Sequence, residues 1–285
     1  MVTTVVTTVV TTRATAIAGA AVLAAVLAVA GFGEASGAGG GEGAVAAAGQ
    51  SAGARGSATD AWDRVLAEHA VDGGVRYAAL KRDRADLDRF LAWVAKTAPA
   101  SLPERERLAF LVNAYNAIVV AAVLERYPGI GSVRDVDGFF DEEEHVVGGR
   151  RMTLDEIETA ARDLDPRVHF AVVCASTSCP DLRGEAYRGA TIDRQLREDT
   201  EGFLADRSKG LRYDAEADEL HASSIFKWYA GDFTGGSRVV AFFARGGVRD
   251  WIAEHVGDPA LARTIREREP GVSYMDYDWS LNDRR

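Results

Sequence analysis

The chain has 285 residues and is acidic, with 43 Asp and Glu against 33 Lys and Arg and a formal net charge of −10. Residues 1–59 carry only Arg13, Arg55, Glu34 and Glu42, which cancel, so the whole negative surplus belongs to residues 60–285. A domain that acidic, with no basic stripe interleaved with aromatics, repels phosphate backbones and argues against a nucleic-acid partner.

In chain order, residues 14–30 (ATAIAGAAVLAAVLAVA) are an apolar run behind a single Arg13, and Ala28-Val29-Ala30 has the A-x-A form of a secretory cleavage site. Residues 1–30 therefore read as a signal peptide and the protein as extracytoplasmic, secreted or associated with the cell envelope. Left uncleaved, residues 14–33 are just long enough to act as a bilayer anchor, the one membrane contact the sequence suggests. Residues 31–59 are rich in Gly, Ala and Ser. They bury too little apolar surface to order themselves and read as a flexible linker. Residues 60–285 are enough for one globular domain with a sizeable core.

Within that domain, residues 60–69 and 86–96 have helical spacing. Ser101-Leu102-Pro103-Glu104 reads as a capping box with proline near the first turn, opening a long helix to about Arg126 that Pro128-Gly129 stops. From Leu108 to Leu124 this helix is apolar nearly all round, which predicts burial. Its two amides, Asn113 and Asn116, are three apart and share a face. Buried amides must be hydrogen-bonded, so they either tie neighbouring backbone together or line a pocket. His145 to Met152 reads as a hairpin around Gly148-Gly149, and Thr153-Leu154-Asp155-Glu156 as a second capping box for a helix from Leu154 to about Arg162. Val168 to Cys174 reads as a short strand buried on both faces. A helix over 193–206 follows, then a strand pair at Leu211–Tyr213 and Glu219–His221, and a helix capped by Ser223 or Ser224 and ending near Ala230. Helices are predicted over 238–245, 248–255 and 259–266, and a last strand over 272–279. The sum is an α+β fold: a helix-rich single domain with a small mixed or antiparallel sheet.

The segment His169 to Pro180 (HFAVVCASTSCP) concentrates the chemistry, since it holds both cysteines of the chain, a histidine and two serines. The C-x4-C pair, Cys174 and Cys179, allows three readings. They are a disulfide that rigidifies the loop of an exported protein, a nucleophilic thiolate, or metal ligands. The last is weakest, because there is no second cysteine pair and no His-Glu-x-x-His. On a strand, His169 and Cys174 would point to opposite faces, so a contact with His169 requires the loop to fold back and bring Cys179 closer. Glu158, on the core side of its helix, is a natural partner for His169, either orienting a catalytic imidazole or forming a structural ion pair. Ser176 and Ser178 lie outside any Gly-x-Ser-x-Gly elbow, so they bond loop backbone or line an anion-accepting nest. Asp141 to His145 is an acidic run of the kind that is usually solvated. Trp228, Tyr229, Asp232, Tyr277, Asp278, Trp279 and Asn282 form aromatic–acid–amide clusters, read as C-terminal packing or as a ligand rim. There is neither a dinucleotide fingerprint nor a P-loop, and no cofactor is implied.

The elements LAFLVNAYNA, MTLDEIE, VHFAVVCASTSCPDL, IFKWYAGDF and YMDYDWSLN occur in this order. Over Tyr77 to Asn282 the chain resembles the bacterial form of the domain of unknown function 547 (DUF547) family, which implies a shared fold and motif set with no agreed reaction. The family often has a histidine after the Ile-Glu pair, where Thr159 stands here. The expected function is a cysteine/histidine-centred hydrolase or acyl transferase of the cell envelope, acting on an unidentified small-molecule or peptide-like substrate. Cys174, Cys179, His169 and Glu158 would be its catalytic group, and Asn113, Asn116, Ser176 and Ser178 would line the site. The alternative is a non-catalytic binding or scaffolding domain closed by a Cys174–Cys179 disulfide.

Overall fold

The structure is a computed structural model that describes residues 58–234 and 247–284. The expected signal peptide (1–30), nearly all of the expected linker (31–59) and the helix expected over 238–245 lie outside the described residues.

The long helix Glu104–Arg126 organises the domain, and every residue from Leu108 to Leu124 on it is buried. It is apolar and long enough to cross a membrane by length and composition, but its apolar surface is spent inside the protein, as in a core helix. Glu104 and Glu106 in its first turn and Arg126 in its last complement the helix dipole. Its start differs from expectation. The N-cap is Pro103, with no side-chain cap, and Ser101 sits in a preceding 3-10 turn, Pro99–Ser101, with its hydroxyl donating to the Ala98 carbonyl. The cause is Pro103 itself. A residue before proline is pushed out of the α region, and Leu102 is extended at φ −94°, ψ 145°, so the helix begins only past the proline.

The second capping box forms as read. Thr153 Oγ1 accepts from the Glu156 N–H at 3.2 Å and the Glu156 carboxylate accepts from the Thr153 N–H at 2.9 Å. The helix Leu154–Arg162 then packs along the long helix. Before it, His145–Val147 pairs antiparallel with Arg150–Met152 around Gly148 and Gly149, whose φ values of +60° and +77° are those a tight hairpin turn demands.

The segment expected as a strand, Val168–Cys174, is not one. Pro166–Phe170 is a 3-10 turn, capped by Asp165, which accepts from the Arg167 N–H at 2.9 Å, with Pro166 at its first position. The apolar run alone does not distinguish a strand from a buried turn, and the Asp-Pro start winds the chain. Strand alternation therefore does not govern where His169 and Cys174 point.

Leu211–Asp214 pairs antiparallel with Glu219–Ala222, which pairs parallel with Gly271–Tyr274, making a mixed three-stranded sheet. The last strand stops at Tyr274, short of the expected Trp279. Beyond it the chain crosses the cysteine loop, with Leu281 bridging Ser176 and Asp283 bridging Val75. One apolar cluster surrounds the long helix, with Trp62, Tyr77, Phe90 and Ile157 among its members. A second is aromatic, with Phe170 packed against Phe203, Phe226, Phe233 and Trp251.

The two serine/threonine signals separate in a simple test. Thr153→Ala is expected to cost about 1 kcal/mol of stability through loss of a true cap, whereas Ser101→Ala stays within about 0.5 kcal/mol, as exposed substitutions do. Urea midpoints of the two variants measure this, and equal midpoints would contradict the difference in capping.

Candidate functional site

Several pieces of chain converge on a cavity of about 230 Å³. The long helix contributes Tyr115, the capped helix Asp155 and Glu158, the 3-10 turn His169, the loop after it Cys174 and Cys179, and the later chain Trp228, Tyr229, Tyr277 and Trp279. The structure thus brings Cys174, Cys179, His169 and Glu158 to one cavity. Asn113, Asn116, Ser176 and Ser178 are not among its lining residues.

The asparagines act on backbone. Asn113 donates to the Tyr187 carbonyl at 2.7 Å and accepts from the Tyr187 N–H at 2.9 Å. Asn116 donates to the Ala171 carbonyl at 2.9 Å and accepts from the Val173 N–H at 2.8 Å. The segment 171–173 belongs to no sheet, and the Asn116 amide offers it the donor and acceptor that a neighbouring strand would. It thereby sets the position of Cys174, one residue on. Ser178 faces the C-terminal segment, its hydroxyl accepting from the Asp278 N–H at 2.9 Å. Ser176 is buried and its hydroxyl lies 3.1 Å from Cys174 Sγ.

The two cysteines are free and their sulfurs are 2.6 Å apart. The loop carrying them is held in an unusual shape. Ala175 has φ +60°, a left-handed conformation costing an L-residue about 1–2 kcal/mol. The cost is offset by C-terminal pairing, in which the Asn282 N–H donates to the Ala175 carbonyl at 3.0 Å and the Thr177 N–H donates to the Ser280 carbonyl at 2.9 Å. Tyr277 rides on the same C-terminal segment and places its hydroxyl 3.3 Å from Cys174 Sγ.

This environment drives the two thiols apart. Burial raises the pKa of Cys174, but hydrogen bonds from Cys179, Ser176 and Tyr277 favour its thiolate and bring it down to about 7. Burial, then the neighbouring Cys174, push Cys179 well above the ordinary thiol value. Tyr277 is likewise held protonated by burial and the two sulfurs.

His169 is 2% exposed and lies between two carboxylates. Its Nε2 is 2.8 Å from Asp232 Oδ2, and its Nδ1 is 3.5 Å from Glu158 Oε1, an ion-pair distance rather than a hydrogen bond. Asp232 is held in turn by Arg162 at 2.9 Å, and the imidazole lies against the Tyr229 ring, centroids 4.2 Å apart. Both ring nitrogens face carboxylates rather than sulfur. Burial and Glu158 raise the pKa of Asp155 on the same wall.

Trp228, Tyr277 and Trp279 pack on one another, with centroids 4.8 to 5.8 Å apart, and Trp228 is 48% exposed at the cavity edge. The packing expected from the sequence is thus present, and the same three rings line the cavity. Reading residue types missed the particular roles of Asp232 and Tyr277, although both lie in motifs that could have flagged them. Tyr115 gave no signal, being one more ring in an apolar helix. Among the described residues, no group of three or more His, Cys, Asp and Glu side chains is placed to hold a metal ion.

Fold and site together define a helix-rich α+β domain built around a pair of unequal thiols, one partly exposed and one buried. Residues 99–204 match the family model described as protein of unknown function, DUF547. The match takes in the asparagine helix, Glu158, His169 and both cysteines, whereas Asp232, Tyr277 and the aromatic rim lie past its end. No curated protein and no solved structure matched the chain.

Asn113→Ala and Asn116→Ala are each expected to destabilise the fold by about 1–3 kcal/mol, because each strands a buried N–H and C=O. Urea midpoints measure this, and unchanged midpoints would show that water replaces the amide. Iodoacetamide modification of Cys174 is expected to rise about tenfold per pH unit up to its pKa near 7 and then level off, because only the thiolate reacts. Tyr277→Phe removes a donor that favours the thiolate, so the midpoint of that profile moves to higher pH. A downward or absent shift would contradict the hydrogen-bond account.

Proposed function

We propose that the chain is an exported thiol-dependent hydrolase or acyl transferase of the cell envelope, with Cys174 as its nucleophile. The observation that carries this reading is the Cys174 sulfur itself, lining the cavity with its pKa brought down to about 7 by three surrounding hydrogen-bond partners. Export rests on the apolar run 14–30 and its Ala28-Val29-Ala30 site.

The Cys174 thiolate attacks the carbonyl carbon of an amide, ester or thioester, the C–S bond forms, and the leaving group departs with a proton. Water or an acceptor amine or alcohol then attacks the thioester, and the sulfur leaves as thiolate. The sulfur needs no imidazole to ionise near neutral pH. His169 and Glu158 instead serve the other end of the cavity as a fixed acid–base pair for the leaving group, with Asp232 and Arg162 holding the imidazole in place. The rim of Trp228, Tyr277 and Trp279 suits a flat or ring-bearing part of a small or peptide-like substrate.

The 2.6 Å sulfur contact favours a second reading, in which the pair is oxidised and the domain only binds. The experiment that separates them uses the reduced full chain and p-nitrophenyl acetate. An acetyl group on Cys174, found by peptide mass mapping and absent in Cys174→Ser, supports the enzyme. Glu158→Gln is expected to slow release of nitrophenol about 100-fold, the usual scale of general acid–base catalysis. Acetylation scattered over lysines and unchanged in Cys174→Ser would end the enzyme reading. Export is checked by sequencing the mature N-terminus from the cell envelope, where a protein still in the cytoplasm and beginning at Met1 contradicts it.

A further inference from the structure

We propose that the same two sulfurs carry a second activity, thiol–disulfide exchange, in which Cys174 attacks an external low-molecular-weight disulfide and Cys179 resolves the product. This rests on Cys174 being the nucleophile, as proposed above, and not on any acyl chemistry.

The first support is proximity. The sulfurs are 2.6 Å apart. A disulfide bond is about 2.05 Å, so closure requires a movement of only about half an ångström. Four residues separate the cysteines, and the Cys179 N–H already donates to the Ser176 carbonyl at 3.2 Å, so the turn that closure needs exists in the reduced chain.

The second support is asymmetry of access. Both cysteines line the cavity, but Cys174 is partly exposed there whereas Cys179 is only 4% exposed. An incoming disulfide therefore meets Cys174 first. The third is that each sulfur has help matched to its task. Ser176 and Tyr277 hydroxyls lie 3.1 Å and 3.3 Å from the attacking sulfur. The Cys174 N–H donates to Cys179 Sγ at 2.8 Å, where it stabilises charge on the resolving sulfur as that sulfur ionises.

The steps balance. The Cys174 thiolate attacks one sulfur of R–S–S–R, a Cys174–S–S–R bond forms, and RS⁻ leaves and takes up a proton. Cys179 then loses its proton and attacks Cys174 Sγ, the second RS⁻ leaves and is protonated, and the internal disulfide forms. Two electrons pass from the protein to the substrate disulfide, which is the oxidant, and two RSH are released. The aromatic rim at the entrance gives the R group a surface to lie on.

The test uses the full chain, reduced and freed of reductant, with bis(2-hydroxyethyl) disulfide as probe and intact mass under acid quench as readout. Wild type is expected to lose two hydrogens and keep no adduct. Cys179→Ser and Cys179→Ala are each expected to accumulate one hydroxyethylthio adduct, mapped to Cys174. Cys174→Ser is expected to gain neither bridge nor adduct. A parallel arm with a cystine-bridged peptide shows whether the cavity admits a larger disulfide, and closure with that peptide alone would overturn the low-molecular-weight assignment. A wild-type chain that stops at a stable mixed disulfide, or a Cys174→Ser variant that takes the adduct at Cys179 as fast as wild type takes it at Cys174, overturns the proposal. Circular dichroism melts confirm that each variant is folded. Acetyl transfer without bridge formation removes the exchange activity alone, and bridge formation without acetyl transfer removes the acyl chemistry alone.

Discussion

Everything at this site depends on one side-chain amide standing in for a missing β-strand. The segment 171–173 runs through the apolar interior without a sheet partner, and its Ala171 carbonyl and Val173 N–H are both met by Asn116. An unpaired buried backbone group costs as much as a lost hydrogen bond or more, so an apolar helix passing here without that amide would force the segment elsewhere. With it, the chain enters the cavity at Cys174 in a fixed orientation. Asn113, one turn earlier, makes the same two-bond clip on Tyr187, whose hydroxyl bonds Asp199 at 2.7 Å, fixing the entry to the next helix. The most apolar helix of the domain is therefore also the frame of its most polar site.

The second constraint is the C-terminal segment that crosses the cysteine loop. Its backbone bonds to Ala175 and Thr177 hold a left-handed alanine that would otherwise relax, and it delivers the Tyr277 hydroxyl to Cys174. Local strain, thiolate stabilisation and the aromatic rim thus come from one stretch of chain. Loosening that stretch would act on all three together, so residues 277–282 are part of the site even though they lie past the matched family segment.

Much of the fold was legible because it rests on local signals. The Thr153 box, the Gly148-Gly149 turn and the all-round apolar helix each follow from a few adjacent residues, and each forms. The failures are equally local in origin. Ser101 and Glu104 have the spacing of a capping box, but Pro103 between them forbids the helical backbone the box needs. The apolar run after Val168 has the composition of a strand, but Asp165-Pro166 starts a turn, and a side chain takes the place of a sheet neighbour. The site was legible in its residue types and illegible in its pairings. The Asp232 partner of His169 is 63 residues away and the Tyr277 partner of Cys174 is 103 away, and no periodicity spans such gaps.

The two functional readings that the sequence left open, enzyme and disulfide-closed binding domain, correspond to two redox states of one geometry. With both thiols reduced, the hydrogen bonds on Cys174 favour its thiolate, the form that the proposed nucleophilic chemistry uses. With the bridge closed, that sulfur has no lone charge to offer and the cavity retains only its aromatic and acidic walls. The compartment then matters as much as the fold. Were the protein held in an oxidising compartment, the closed state would be the resting one, and the proposed acyl chemistry would require a reductant to open it. The unequal burial of the two sulfurs decides how such a reductant works. It meets Cys174 first, the more exposed of the two sulfurs, and attack there releases Cys179 as the leaving thiolate. Cys179 is a poor leaving group there, since burial and its neighbour raise its pKa, and this favours retention of the bridge once formed. Hydrogen bonds favour the Cys174 thiolate while burial disfavours the Cys179 thiolate, and it is this second effect that makes oxidation of the pair slow to reverse.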